Sequence, residues 1–518
     1  MAIKIILLVV FFAAMIGIGI YSRAKAKNVT DYVLGGRTVG PWISAFAFGT
    51  SYFSSVVFIG YAGQFGWKFG LASTWIGLGN AFIGSLLAWL VLGRRTRLMT
   101  QQLDAKTMPE YFGKRFNSKS LRVAGSIIAF IFLVPYTAGV YNGLSNLFGM
   151  AFNVNYKICV IIMAVLTGAY VVIGGYMATA LNDFVQGIIM LIGICAVIFA
   201  VLNGQGGFLN AVQSLSVIET DPSVTTAALA DSHGLFASFF GPDPMSLLGV
   251  VVLTSLGTWG LPQMVHKFYA IKDEKAVKTG TVVSTFFAII IAGGCYFLGG
   301  FGRLFRDQHG IIEVLADGTE KVNFDKIVPT MLSTLPDLLI GVVVVLVFSA
   351  SMSTLSSLVL TSSSTLTLDL IKPLLKKDME EKTQVRIMQV FVIVFIIISV
   401  VIAFNPPMFI AQLMGVSWGA LAGAFLAPFM YGLYSKKITK TAVWASYIIG
   451  VGFTIVNIVH PIIKSPINAG AATMIAGLII VPIISLITPK PKAEDVDKIF
   501  ECYDQKVTVP ETENLGGN

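Results

Sequence analysis

The sequence predicts an all-α integral membrane protein with about thirteen transmembrane helices, and three observations carry that reading. Of 518 residues, 55% are hydrophobic and 12% charged, and a mean hydropathy of +0.79 makes lipid the solvent for most of the chain. The apolar residues fall into separate runs of roughly 20, the length that a helix rising ~1.5 Å per residue needs to cross the hydrocarbon layer. Lys and Arg collect in alternate connecting segments, as expected of loops that lie in turn on the two sides of a bilayer.

The runs lie at 4–22, 41–63, 72–93, 123–148, 153–176, 180–202, 243–263, 280–302, 338–366, 389–405, 407–432, 441–460 and 468–488. With the N-terminus outside and the C-terminus in the cytoplasm, the inside segments hold 28 of the 36 basic residues, an asymmetry that one missed or invented span would destroy. The first run lacks a small-residue cleavage site, and its basic cluster Arg23, Lys25 and Lys27 follows it, so it is expected to remain a helix rather than be cleaved as a signal peptide. The expected organisation is a first helix and cytoplasmic loop (1–40), a first five-helix repeat (41–202), an external loop free of Lys and Arg (203–242), a second five-helix repeat (243–432), two further helices (433–488) and a charged cytoplasmic tail (489–518).

Two interrupted spans suggest the repeat. The second carries Gly49-Thr50-Ser51-Tyr52-Phe53-Ser54-Ser55 at its middle, and the seventh carries Gly257-Thr258-Trp259-Gly260-Leu261-Pro262 near its inner end. Polar, Gly/Pro-bearing stretches at membrane depth are tolerated where their backbone lines a protein cavity. Breaks five spans apart match two inverted repeats, each opening with a discontinuous helix that helps to build ion and solute sites at mid-membrane. The competing reading is close helix packing, as expected for Gly415, Gly419 and Gly423 in the eleventh span.

Other chemistries find little support. No GxxxxGK[ST] loop is present to cradle nucleotide phosphates. His233, His266, His309 and His460 are scattered, and Cys159, Cys195, Cys295 and Cys502 show no paired spacing, which points away from a transition-metal site or a disulfide framework. The net charge of +9 is explained by membrane orientation rather than by nucleic acid, because the basic residues sit in short blocks between apolar runs.

Two places carry chemistry. In the ninth span Ala350, Ser353, Thr354 and Ser357 recur at i, i+3, i+4 and i+7, so one helix face presents a carbonyl and three hydroxyls. A hard monovalent cation is satisfied by such oxygens together with carbonyls freed by the break near Thr50 and Phe53. Alternatively the hydroxyls bond back to their own helix or to a neighbour. Asp183, in Leu181-Asn182-Asp183-Phe184-Val185-Gln186, is the carboxylate within a span, whereas Asp369 at the inner end of the ninth is expected to reach water. A carboxylate at such depth is a functional candidate, or a helix cap stabilised by the macrodipole.

Tyr32-Val33-Leu34-Gly35-Gly36-Arg37, Ala180-Leu181-Asn182-Asp183 with Gln186-Gly187, Gly260-Leu261-Pro262-Gln263 and the stretch Ser349 to Ser357 occur in the order of the sodium/solute symporter family, over about residues 30–370. Within it the chain looks most like the bacterial pantothenate and proline permeases, notably in Lys272-Asp273-Glu274-Lys275-Ala276-Val277. The resemblance implies a leucine-transporter-like inverted-repeat (5+5) fold and a shared sodium site of backbone oxygens at Thr50, Phe53 and Ala350 with the hydroxyls of Ser353 and Thr354. It further implies, for some members, a second sodium that would here lie at Asp183, Ser356 and Ser357. By position in proline-permease-like members the solute would meet Ser54, Ser55, Tyr136, Thr258, Trp259 and Gln263, although Ser55-Val56 stands where a Gly-Trp pair is expected and Thr258 where an aromatic is expected.

The implied function is sodium-coupled import of a small polar solute, an amino acid such as proline or a carboxylate such as pantothenate, across the inner (plasma) membrane by alternating access. The implied partners are one or two sodium ions, the solute and the lipid bilayer, in a monomer without organic cofactor or covalent catalysis. Two rivals remain: a sensor that kept the fold and lost transport, against which the short tail after Pro489 argues, and a membrane enzyme, which would need clustered acids, His or Cys at one membrane face.

Overall fold

The structure, a computed structural model, describes residues 2–23, 28–220, 229, 231–308, 310–314, 318, 320–375 and 379–504. Lys25, Lys27, part of the 203–242 loop and residues 505–518 of the tail lie outside these. The principal helices are α1 (Ala2–Arg23), α2 (Pro41–Tyr52), α3 (Val56–Gln102), α4 (Lys119–Phe152), α5 (Tyr156–Gly204), α6 (Pro244–Gly260), α7 (Pro262–Tyr269), α8 (Glu274–Gly299), α9 (Asp337–Leu374), α10 (Glu381–Phe404), α11 (Ile410–Tyr434), α12 (Lys440–Val459) and α13 (Pro466–Ile487). In lipid a helix satisfies its own N–H and C=O groups, which is why the apolar runs take this form. Polar caps mark where runs begin: Asp243, Asp273, Thr439 and Ser465 each accept a backbone N–H in the first turn of α6, α8, α12 and α13.

Ten helices among the described residues are long and apolar enough to cross a membrane, or eleven when α6 and α7, bent by 47° at Leu261, count as one span. The thirteen spans read from the sequence differ because two helical runs turn at a glycine. α3 has 47 residues, about 70 Å of helix, and turns at Gly70 (φ 59°, ψ −140°). α5 has 49 residues and turns at Gly175 (φ 58°, ψ −154°). L side chains rarely adopt these dihedrals, and a Cβ on Gly175 would also meet Tyr32 O at 2.8 Å. Both turns fall at or beside the segments where the sequence places boundaries between consecutive spans.

One hairpin departs from the all-helical expectation: Ile312–Val314 pairs antiparallel with Glu320–Val322, Ile312 facing Val322, within the 303–337 segment. The centre of the molecule is formed by α11 and α9, whose most apolar windows are 89% and 78% buried, against 28% for α1. Phe199 on α5 and Leu486 and Ile487 on α13 instead stand exposed on the outside, as lipid-facing residues do. The glycine stripe of α11 serves packing: a Cβ on Gly415 would lie 2.7 Å from the Pro466 carbonyl carbon and one on Gly419 2.8 Å from Gly470 Cα, so the stripe lets α11 and α13 touch backbone to backbone.

Segments expected on one side of the membrane meet one another. On the first face, Gly35, Gly36 and Arg37 all take positive φ and turn the Arg37 guanidinium onto the carbonyls of Ala105 at 2.7 Å, Thr100 at 3.2 Å and Tyr269 at 3.2 Å. Val39 bridges Ile271 beside it. On the second face, Trp75 Nε1 donates to Phe239 O at 2.9 Å and Arg303 Nε to Trp67 O at 2.7 Å.

Candidate functional site

The chain leaves helical geometry at Phe53 (φ −110°, ψ 103°), so the last carbonyls of α2 point off the helix end without the partners that a further turn would supply. α9 packs beside this end. Thr354 Oγ1 lies 3.1 Å from Ser51 O, 3.5 Å from Thr50 O and 3.3 Å from Ala350 O, and Ser353 Oγ is fully buried without a hydrogen-bond partner. The structure therefore brings Thr50, Ala350 and Thr354 together at the break that Phe53 makes, with Ser353 the preceding residue of α9. Such neutral oxygens in a dry setting suit a monovalent cation. The sequence reading missed Ser51, whose carbonyl faces Thr354 and whose hydroxyl lies 2.8 Å from Ser357 Oγ.

Asp183 is also wholly buried. It lies well inside the helix that restarts after Gly175, which removes the helix-cap reading. Its Oδ2 is 3.4 Å from Lys267 Nζ, whose ammonium also donates to Ser357 Oγ at 2.9 Å and sits 5.3 Å from the Tyr176 ring centroid. Ser353 Oγ lies beside Asp183 without closing a hydrogen bond of ordinary geometry. Ser356 turns away and donates to Ser353 O at 2.9 Å. Of the second sodium set, Asp183 and Ser357 converge, and what they converge on is an ammonium. The sequence reading counted Lys267 among the basic residues of an inside loop; the helix after the break carries it into the interior instead.

The residues proposed for the solute divide. Gln263, one residue after Pro262 of the second break, is completely buried with both ends of its amide unpartnered, the condition of a group kept for a ligand. Tyr136 packs edge-on to Trp418 at 5.7 Å, and Tyr52 lies 6.4 Å from the same indole. Trp418 Nε1 is buried and unpartnered; this residue the sequence reading overlooked. Ser54 Oγ accepts Val56 N–H at 3.1 Å, and Ser55 Oγ donates to Val140 O at 2.8 Å, so both hydroxyls brace the first break. Thr258 Oγ1 donates to Gly84 O at 3.1 Å and Trp259 Nε1 to Ile83 O at 3.0 Å, tying α6 to α3.

The two faces differ. On the second face a cavity of about 660 Å³ is lined by Asn142, Asn146, Tyr156, Lys321 and Asp325. Asp325 accepts from Ile410 N at 3.3 Å and from Asn142 Nδ2 at 3.4 Å, and burial pushes its carboxyl up to about 7. On the first face polar side chains interlock. Asp369 accepts from Arg122 Nε at 2.7 Å and from the Thr107 hydroxyl, while Arg122 also reaches Glu110 at 3.2 Å. The expectation that Asp369 reaches water fails: it is fully buried, because the segment carrying Thr107 and Arg122 folds over the end of α9.

Two broken helices beside a central helix are the architecture of the inverted-repeat secondary transporters. The family model for the sodium:solute symporter family matches residues 32–450, and the chain belongs to that family. It is 30% identical to the osmoregulated proline transporter OpuE of Bacillus subtilis, covering 95% of this chain and 96% of that one, and 29% identical to the sodium/proline symporter of Staphylococcus aureus, covering 97% and 96%. Among solved structures, a Na+-coupled sialic acid symporter in a substrate-bound outward-open state superposes with a TM-score of 0.75 at 18% identity, covering 95% of this chain and 98% of the other. MhsT in complex with L-phenylalanine superposes at 0.52 with 13% identity, covering 87% and 98%. These likenesses bear out the leucine-transporter-like fold read from the sequence.

Proposed function

We propose that the protein is a sodium-driven symporter that imports a small zwitterionic solute of the proline class through alternating exposure of a mid-membrane site. The observation that carries this reading is the Thr354 hydroxyl set among the carbonyls of Thr50, Ser51 and Ala350 at a helix break. Sodium held there bridges α2 to α9, and its release on the first face frees them to move. Each sodium entering gains about 2.3 kcal/mol per 100 mV of membrane potential before any concentration term. The proline class rests on the names of the relatives and on a candidate pocket of uncharged donors and aromatics: the Gln263 amide, the Trp418 indole and Tyr136.

In the same reading, 41–202 and 243–432 are the inverted repeats, the first face is cytoplasmic, the N-terminus is outside, and one chain in the plasma membrane suffices. Thermal unfolding of the purified protein, with L-proline or pantothenate in sodium and in potassium, tests it. L-proline is expected to stabilise in sodium alone. Gln263→Leu, which removes both polar ends of the amide at similar volume, is expected to raise half-saturating proline roughly tenfold or more while leaving stabilisation by sodium intact. Pantothenate acting in place of proline would replace the solute class. Equal behaviour in sodium and potassium would contradict the reading itself.

A further inference from the structure

The group that Asp183 and Ser357 hold is built like a bound cation. Lys267 is carried on α7, one turn beyond Gln263, and its side chain is 1% exposed. Its ammonium meets the Asp183 carboxylate at 3.4 Å and the Ser357 hydroxyl at 2.9 Å, with the Tyr176 ring centroid 5.3 Å away. An ammonium so surrounded is satisfied in a way that an isolated buried Lys is not. The ammonium matches the charge of the carboxylate through Oδ2, while Oδ1 is buried without a hydrogen-bond partner. A sodium ion added beside it would bring a second positive charge to one carboxylate in a low-dielectric interior, where like charges repel far more strongly than in water. Ser356, which would have to help bind that ion, has its hydroxyl turned to its own helix.

We infer that the Lys267 ammonium is a tethered cation that occupies the site at Asp183 and Ser357, so that this transporter binds no sodium there and moves one sodium per cycle, at Thr354. The ion count rests on the reading of the Thr354 site given above; the occupancy of the Asp183 site does not. Ser51 connects the two places, its carbonyl facing Thr354 at 3.1 Å and its hydroxyl meeting Ser357 at 2.8 Å. The tethered charge thus holds α5, α7 and α9 together on its own, whether or not sodium is bound at the break.

Saturation binding of radiolabelled sodium to the purified full-length protein, without solute, counts the ions. The wild type is expected to bind one per chain. Lys267→Ala, which leaves the Asp183 carboxylate uncovered with room beside it, is expected to bind one more than the wild type, and Lys267→Ala with Asp183→Asn to lose that extra ion. Lys267→Arg keeps the charge and is expected to match the wild type. The increment decides the occupancy: a folded Lys267→Ala protein with an unchanged count overturns the inference, as does a wild type that binds two and loses one on Asp183→Asn, an outcome that needs no Lys267 variant to fold. A wild-type count of zero would instead strike the Thr354 reading and with it the ion count, while the increment in Lys267→Ala would still decide whether the ammonium fills a cation site.

Discussion

Thr354→Ala is expected to raise the sodium concentration for half-maximal uptake roughly tenfold or more, with Ser353→Ala acting in the same direction. Thr354 Oγ1 lies within 3.5 Å of the carbonyls of Thr50, Ser51 and Ala350, so its loss removes the hydroxyl proposed to join those carbonyls around the ion. A polar contact to a charged group is worth about 1.5–3 kcal/mol, and ~1.4 kcal/mol is a factor of ten in an equilibrium constant. Ser353 Oγ lies beside Asp183 and closes no hydrogen bond of ordinary geometry, so Ser353→Ala gives up little internal bonding. Thr354→Ser retains the oxygen and is expected to stay near wild type. Initial uptake rates against sodium concentration in membrane vesicles make the comparison, and unchanged half-saturation in both alanine variants removes this site.

A second large effect is expected at the first face, where Asp369→Asn should lower stability by about 1.5–3 kcal/mol, the worth of a buried hydrogen bond to a charged group. The Asp369 side chain is 0% exposed and takes Arg122 Nε at 2.7 Å, whereas Arg122 is 22% exposed and keeps Glu110 at 3.2 Å. Solvent near the guanidinium screens part of the interaction, which places the expectation at the lower end of the range. The same carboxylate accepts the hydroxyl of Thr107, which also caps the helix Met108–Arg115 by taking Glu110 N–H at 3.2 Å. The double variant Asp369→Asn, Arg122→Gln is expected to lose less than the sum of the two single variants, because each single change removes the same Asp369–Arg122 contact. Thermal unfolding of the wild type, Asp369→Asn, Arg122→Gln and the double variant in detergent measures the coupling, and additive losses would show that the pair is not an energetic unit.

What could be read from the sequence, and what could not, follows from the range over which each signal acts. Ser353 and Thr354 were legible because helical spacing alone puts them with Ala350 on one face, and Thr50 and Phe53 because Gly, Ser and aromatic residues interrupt an apolar run. The turns at Gly70 and Gly175 appeared in the sequence as boundaries between spans. Periodicity does not report which residue of one helix stands opposite which residue of another, so Ser51 was hidden until α9 was seen against α2. Lys267 was assigned to a loop because the apolar run ends near Gln263, yet the helix continues to Tyr269 and buries the charge against Asp183, 84 positions away. Asp369 was misread for the same reason, since Arg122 lies 247 positions distant. Trp418 sits beside the packing stripe Gly415, Gly419 and Gly423 of α11, and glycine spacing reports close helix contact but not which ring the neighbouring indole meets, here Tyr136.

Sodium coupling at the α2 break is tested most directly by uptake of radiolabelled L-proline into proteoliposomes under an imposed inward sodium gradient, beside an equal potassium gradient and beside Thr354→Ala under sodium. Coupling at Thr354 predicts transient accumulation above the equilibrium level with sodium alone, and its loss or marked reduction in Thr354→Ala at low sodium. Accumulation driven equally by potassium, or sodium-driven accumulation that Thr354→Ala and Ser353→Ala leave undiminished at every sodium concentration, would contradict it.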